Sequence, residues 1–186
     1  MKLSHPYQWF SNAMQNRAFI ILLPLTLFAM YIEQVTGVPL KTDAAPSGII
    51  SFEFAGTLAA AQAMVKSWGQ LGQVYAGLNL GFDFVYILTY VICIGLGCVI
   101  VARGGFLSPV GSILAWAMFA AGLFDCIENY FLIQILLGLG QESSAALAQW
   151  CAMFKFAIVG TGLVYFFIGG VVVLMMKVRK RGASII

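Results

Sequence analysis

Four long apolar stretches decide what this chain can fold into. They lie at about residues 18–36, 74–101, 110–138 and 148–176. A helix needs roughly 20 apolar residues to cross the hydrocarbon core of a bilayer, so each stretch is long enough to form a membrane span. Charged residues make up 9% of the chain, whereas soluble domains carry about 25%. The sequence therefore predicts one membrane domain over residues 1–186, an all-α, integral membrane four-helix bundle.

The loop between the first and second spans contains a further helix signal. Its first half is predicted to be irregular because Pro39, Pro46, Ser47 and Gly48 interrupt it. In its second half, apolar residues recur at helical spacing after Thr57, a predicted N-cap. These residues are Leu58, Ala61, Val65 and Trp68. We expect a short interfacial helix in this outer loop, either anchored passively at the membrane face or capping the bundle, with anchoring as the favoured role.

The basic residues indicate which side of the membrane each loop occupies. One side of the predicted path carries Lys2, Arg17, Arg103, Lys177, Arg179, Lys180 and Arg181, and the other carries Lys41 and Lys66. Short loops rich in Lys and Arg stay in the cytoplasm, so both termini are expected there, in a bacterial inner membrane. The N-terminal aromatic residues Tyr7, Trp9 and Phe10 are expected at the headgroup level.

The first span also has to be weighed against a cleaved secretory signal, since a basic segment precedes it. No small-x-small cleavage pattern follows Tyr31. A retained span is therefore favoured, with a cleaved signal as the alternative.

Polar residues recur inside the apolar stretches at positions that share a helix face. Spacings of three and four residues bring them together on the second and third spans. The set on the third span is Asp125, Glu128 and Asn129, and the set on the second is Asn79, Asp83, Tyr86 and Tyr90. Glu33 on the first span and Lys155 on the fourth complete the group. At a rise of about 1.5 Å per residue, all of these ionisable groups fall in the outer half of the bilayer, which predicts a common polar pocket opening outward.

The charges of this polar set do not balance. Four carboxylic acids face one ammonium group, that of Lys155. Either some of the acids are protonated, or a cation, a cationic ligand or water offsets their charge. Lys155 is expected to reach towards the membrane surface and to pair with Glu33 or Asp83, rather than with the deeper Asp125.

The polar residues of the second and third spans also carry a resemblance. Asp125-Cys-Ile-Glu128-Asn129, together with Asn79-Leu-Gly-Phe-Asp83, resembles small four-span bacterial inner-membrane proteins of unassigned function. A more distant analogy is to the four-helix group of sterol isomerases and the sigma-2 receptor, which bury carboxylates in a ligand cavity. This chain has no histidine in a span, and the analogy implies no residue roles here.

Three functions fit these observations. The first is a binding or transport protein whose pocket takes a cation, a proton or an amphipathic small molecule. Its ligand-binding residues would be Glu33, Asn79, Asp83, Tyr86, Tyr90, Asp125, Glu128, Asn129 and Lys155, with Tyr130 as a further aromatic wall. The second is a membrane-embedded acid/base enzyme on a lipid-like substrate, with Asp125 and Glu128 as candidate catalytic residues. The third is a scaffold subunit of a membrane complex, in which the polar contacts, worth about 0.6 kcal/mol each, only hold the helices in register.

The remaining motifs indicate which partners and cofactors are expected. The bilayer and a small molecule or cation are the expected partners, and nucleic acid is not. The GxxxG pair Gly77 and Gly81 favours packing within the chain, with a homodimer as the alternative. No cofactor or metal is expected, since His5 is the single histidine and no cysteines form a CxxC pair. The four cysteines are expected to be small apolar core residues; they are Cys93, Cys98, Cys126 and Cys151.

Overall fold

The computed structural model describes the backbone of residues 4–183 and the side chains of residues 4–180. Lys2 and the side chain of Arg181, two of the basic residues expected on the cytoplasmic side, lie outside this part of the chain. The described residues form five α-helices: α1 (Asn12–Gly37), α2 (Ile49–Glu53), α3 (Leu58–Arg103), α4 (Ser108–Leu136) and α5 (Ser144–Ala183). A 3-10 turn at Val38–Leu40 follows α1. Four of the helices, α1, α3, α4 and α5, are long and apolar enough to cross a membrane, which confirms the all-α class and the four long helices.

The short helix predicted after Thr57 is the first arm of α3. Thr57 caps it, because its hydroxyl accepts a hydrogen bond from the backbone N–H of Ala60 at 3.2 Å. At Gly69 the backbone adopts φ 61°, a conformation that glycine reaches without steric cost, and the helix changes direction there. Leu58 and Trp68 on this arm are buried in one apolar cluster with residues of α4 and α5, namely Leu132, Ile135, Ala145 and Ala148. The arm therefore caps the bundle rather than only anchoring at an interface.

The four long helices do not contribute equally to the core. Helices α3, α4 and α5 pack against one another, whereas α1 packs mainly against α3. Gln15 and Ala29 are the only buried residues among those of α1. Near its start α1 also touches α5, where the rings of Phe19 and Phe166 lie 5.6 Å apart. Towards its other end, which we call the α2 end of the bundle, α2 packs against α3, α4 and α5.

The N-terminal segment differs from expectation at Tyr7. Trp9 is 86% exposed, as an interfacial aromatic residue would be, but Tyr7 is buried. Its ring lies in an apolar cluster with Leu96 and Val99 of α3 and with Ala115 of α4. The spacing of residues in this segment could not reveal this, because a residue far away in sequence holds the segment. The indole N–H of Trp116 donates to the backbone carbonyl of Ser4 at 3.2 Å.

The predicted GxxxG contact within the chain is wrong for Gly81. Both Gly77 and Gly81 are exposed, and a Cβ at Gly81 would meet no atom within 4 Å. The homodimer through these glycines stays a prediction. Helices instead approach closely at Gly111, Gly122 and Gly162, where an added Cβ would press on a neighbouring helix.

The cysteines follow the expectation in part. Cys93 and Cys98 are buried core residues, whereas Cys126 and Cys151 are half-buried. All four are free thiols.

The close approach of α3 and α4 at Gly111 generates a stability prediction. A Cβ at this position would lie 2.8 Å from both the Cβ of Ala102 and the carbonyl oxygen of Cys98. Because backbone cannot move aside cheaply, we expect Gly111→Ala to lower the free energy of unfolding by about 1–3 kcal/mol. Unfolding of the detergent-solubilised protein by increasing dodecyl sulfate measures the change.

Gly160→Ala is the matched control, since a Cβ there meets no atom within 4 Å. It should be neutral or stabilising by up to about 1 kcal/mol, as alanine favours a helix over glycine. Equal stability of the two variants would contradict the close packing of α3 on α4.

Candidate functional site

The predicted polar residues meet in a cavity of about 650 Å³ at the α2 end of the bundle. All five helices contribute to its wall. Of the nine residues predicted to bind a ligand, eight line it: Glu33, Asn79, Asp83, Tyr86, Tyr90, Asp125, Asn129 and Lys155. The remaining residue, Glu128, does not line it. Helical spacing therefore identified which faces converge, although the contacts between them differ from expectation.

Lys155 turns into the bundle and forms the central ion pairs. Its Nζ donates to Asp125 Oδ1 at 2.7 Å and lies 3.0 Å from both oxygens of Glu128. Its side chain is 8% exposed, so the prediction that Lys155 reaches to the surface and pairs with Glu33 or Asp83 is wrong. The physical reason is the position of Glu128, which is completely buried. A carboxylate there would be left uncompensated at a cost of several kcal/mol without a cation beside it.

Asp125 uses both of its oxygens in this network. Oδ1 accepts from Lys155, and Oδ2 accepts from the hydroxyl of Tyr90 at 2.8 Å. Tyr90 is in turn packed against the ring of Tyr86, with the ring centroids 5.2 Å apart. These contacts join α3, α4 and α5 through fully satisfied groups. Asp125 is therefore held in place by the fold although it faces the cavity.

The position of Glu128 also bears on the proposed acid/base pair. Asp125 and Glu128 are both bound to Lys155, but only Asp125 lines the cavity. A ligand in the cavity would therefore meet Asp125 and not Glu128. Glu128 contributes charge to the site from behind Lys155 rather than contact with a ligand.

A second polar group lies between α1, α3 and α4. The amide of Asn129 donates to Asp83 Oδ2 at 2.6 Å. Asn79 donates from Nδ2 to the backbone carbonyl of Glu33 at 3.0 Å and to the hydroxyl of Thr36 at 2.8 Å. Asn79 is thus the polar tie that holds the end of α1 on α3, and it places Glu33 at the cavity. Oε1 of Glu33 is buried and accepts no hydrogen bond from the described residues.

Sequence reasoning missed Glu53, which it placed in an outer loop. Glu53 ends α2, lines the cavity and is 8% exposed. Its Oε1 lies 3.7 Å from Lys155 Nζ, and its Oε2 is buried without a hydrogen-bond partner among the described residues. Burial raises the pKa of Glu53, and the Lys155 ammonium acts in the opposite direction. The available sequence signal was the aromatic residue beside it, Phe52. In the structure Phe52 is 1% exposed and packs edge-on against Trp68, which brings the segment into the interior.

One predicted wall residue is absent from the site. Tyr130 is 56% exposed, and its hydroxyl accepts a hydrogen bond from Gln134 on the outside of α4. The aromatic contact of Lys155 is instead with Phe156, whose ring centroid lies 5.0 Å from Nζ. Tyr86 and Tyr90 are the tyrosines that face the cavity.

No protein-family model, curated protein or solved structure matches this chain significantly. Five carboxyl groups surround or support the cavity: Glu33, Glu53, Asp83, Asp125 and Glu128. Two ammonium groups also line the cavity: Lys155, which is hydrogen-bonded to Asp125 and Glu128, and the exposed Lys41, which forms no salt bridge in the described part of the chain. Such a site attracts positive charge.

The ion pairs of Lys155 predict that removing its charge destabilises the fold. Lys155→Met would leave Asp125 and Glu128 buried without a cation, so we expect a loss of about 3–5 kcal/mol in the free energy of unfolding. Dodecyl sulfate titration of the purified variant measures this loss.

Lys66→Met is the matched control, because Lys66 is exposed on the first arm of α3. Its stability should stay within about 0.5 kcal/mol of the wild type. Neutralising both acids in the Lys155→Met background, with Asp125→Asn and Glu128→Gln, should restore part of the loss. If Lys155→Met is as stable as the wild type, the ion pairs do not hold the bundle.

Proposed function

We propose that this chain is an integral membrane protein that binds a positively charged ligand in the cavity at the α2 end, as a receptor or a carrier. The ligand is a cation, a proton or a cationic amphipathic small molecule. The observation that carries the proposal is the excess of five carboxyl groups over two ammonium groups, those of Lys155 and the exposed Lys41, around a cavity of about 650 Å³. That volume lies in the range of small-molecule sites, about 300–1,000 Å³.

The surface of the long helices supports the membrane assignment. Ile20, Ile21 and Phe28 on α1 are 68%, 61% and 61% exposed, and comparable side chains cover α4 and α5. A soluble monomer rarely carries continuous apolar surface on this scale. In a bilayer the same surface faces hydrocarbon, and backbone polar groups are satisfied within each helix.

The basic residues support an orientation in which both termini are cytoplasmic, in a bacterial inner membrane. Arg17, Arg103, Lys177, Arg179 and Lys180 lie towards the end of the bundle opposite α2. Under the positive-inside rule this end faces the cytoplasm. The cavity would then lie in the outer half of the membrane, and its ligand would come from that side or from the outer leaflet.

The structure also supports a role beyond holding the helices in register. Lys155, Asp125, Glu128 and Tyr90 already form a hydrogen-bonded network that joins three helices. The buried Glu53 and the half-buried Asp83 add acids without an ammonium hydrogen bond of their own. Buried ionisable groups are costly in a membrane, so acids in excess of the structural network favour ligand binding.

A pair of ions of the same shape and opposite charge tests this function. Tetraphenylphosphonium should stabilise the detergent-solubilised protein against heat, and tetraphenylborate should not, because only the cation is attracted to the acids. Asp83→Asn keeps the hydrogen bond from Asn129 but removes the charge, so it should weaken phosphonium binding by about tenfold or more, equivalent to about 1.4 kcal/mol.

Asp43→Asn is the control, since Asp43 is exposed in the loop before α2, and it should bind like the wild type. Equal stabilisation by both ions would show that shape rather than charge decides binding. Unchanged phosphonium affinity in Asp83→Asn would likewise exclude a cation site at this cavity.

A further inference from the structure

The acids at the cavity divide into two groups by their contacts. Asp125 and Glu128, the lysine-bound acids, lie within 3.0 Å of the Lys155 ammonium. Glu33, Glu53 and Asp83, the cavity acids, line the cavity without a hydrogen bond from any ammonium among the described residues. The structure thus contains one acid group that is already occupied and one beside it that is not.

Glu53 gives the strongest sign that a donor belongs at the cavity acids. It is 8% exposed, yet its Oε2 has no hydrogen-bond partner in the described chain and its Oε1 is 3.7 Å from Lys155, beyond hydrogen-bond distance. Leaving a buried acceptor unpaired is costly, and more so when the group is charged. Oε1 of Glu33 is also unpaired, as is Oε2 of Glu128, but of these two residues only Glu33 lines the cavity. A ligand with several N–H donors would satisfy these oxygens.

Lys155 shows what kind of donor the neighbouring acids accept. Its side chain is a primary ammonium at the end of a four-carbon stem, and it is held by Asp125 and Glu128 at 2.7 and 3.0 Å inside an apolar bundle. The cavity acids offer the same carboxyl groups beside them, with Glu53 buried and Glu33 and Asp83 half-buried. A second primary ammonium on an alkyl chain is the ligand that matches this arrangement.

The shape of the cavity supplies a place for the alkyl chain. Helices α1 and α5 touch at Phe19 and Phe166, whereas nearer the α2 end residues of both helices line the cavity. We call this part of the cavity, between α1 and α5, the lateral slot. Three apolar side chains form its rim: Met30 of α1 is 38% exposed, Phe156 of α5 is 44% exposed and Ile50 of α2 is 49% exposed. An apolar rim beside buried acids fits a molecule with an apolar body and a cationic head.

We propose that Glu33, Glu53 and Asp83 bind the primary ammonium of an amphiphilic alkylamine, and that its alkyl chain lies in the lateral slot between α1 and α5. This inference rests on the proposed function and names its ligand class and the orientation of that ligand. Each cavity acid comes from a different helix, so the head is held from α1, α2 and α3 together. In a bilayer the slot faces hydrocarbon, and the ligand reaches it from the membrane.

Three probes separate the contributions of head and chain. Octylamine carries both, ethylamine carries the ammonium with a short chain, and octanol carries the chain without charge. Binding is measured as thermal stabilisation of the protein in phosphatidylcholine nanodiscs, at equal free probe concentration in water. We expect octylamine to bind at least about tenfold more tightly than either other probe, because its chain leaves water for the apolar slot, unlike that of ethylamine, and its charge meets the acids, unlike the hydroxyl of octanol.

Variants then locate the two parts of the ligand. Glu53→Gln should weaken octylamine binding by about tenfold, whereas Glu142→Gln, an exposed control, should not. If Glu53→Gln fails to fold, Glu33→Gln gives the same test at a half-buried position. Met30→Trp should obstruct the slot and weaken octylamine but not ethylamine, and Met14→Trp, at an exposed position on the same helix, should change neither.

Equal affinity for octylamine and ethylamine, or wild-type octylamine affinity in both glutamine variants at Glu33 and Glu53, overturns the inference. If tetraphenylphosphonium still binds in a manner that depends on Asp83, the proposed function survives that result and only the ligand class is wrong. If no cation binds, both proposals fail.

Discussion

The buried ion pairs of Lys155 with Asp125 and Glu128 are the interaction on which the rest of the structure depends. Glu128 is completely buried on α4, and its charge is compensated only because α5 brings the ammonium to 3.0 Å. This requirement fixes the rotation of α5 about its axis and its height against α4. A buried pair of this kind contributes little net stability over an apolar pair, but breaking it is costly. The pairing therefore acts mainly by selecting one arrangement of the helices.

The same fixed arrangement determines where α2 can lie. With Lys155 held inside the bundle, Glu53 at the end of α2 approaches Nζ to 3.7 Å, and Phe52 is placed against Trp68 on the first arm of α3. Trp68 also donates its indole N–H to the carbonyl of Leu40 at 2.7 Å. Three contacts thus hold the loop between α1 and α3 inward. They are the packing of Phe52 on Trp68, the hydrogen bond from the Trp68 side chain to the Leu40 carbonyl, and the long ion pair of Glu53 with Lys155. The inward fold of this loop gives the cavity a roof and a further acid.

The sequence predicted correctly which residues share a face of a regular helix. It did not predict side-chain directions and loop positions that depend on tertiary contacts. Spacing along α3 and α4 placed Asn79, Asp83, Asp125 and Asn129 on converging faces, because residues three or four apart share a helix face. The direction of Lys155 could not be predicted in the same way, since a long side chain reaches either the surface or the core from one backbone position. Glu53 was missed because α2 has five residues and no periodicity to read. Glu53 is buried because the preceding residue, Phe52, packs against Trp68, which lies on the next helix and is not a neighbour along the chain.

The walls of the cavity also differ in how firmly they are held, and this follows from the same contacts. Helices α3, α4 and α5 are joined by buried packing and by the Lys155 network. Helix α1 has two buried residues, is interrupted by Pro24 and is tied at the α2 end by the hydrogen bonds of Asn79. Local stability falls where few apolar contacts are buried, and proline removes a helical hydrogen bond. The lysine-bound acids therefore belong to the closely packed part of the molecule, whereas Glu33 lies on α1, which buries fewer residues than the other three long helices. A site built in this way holds its charge fixed on one side and can adjust its width on the other.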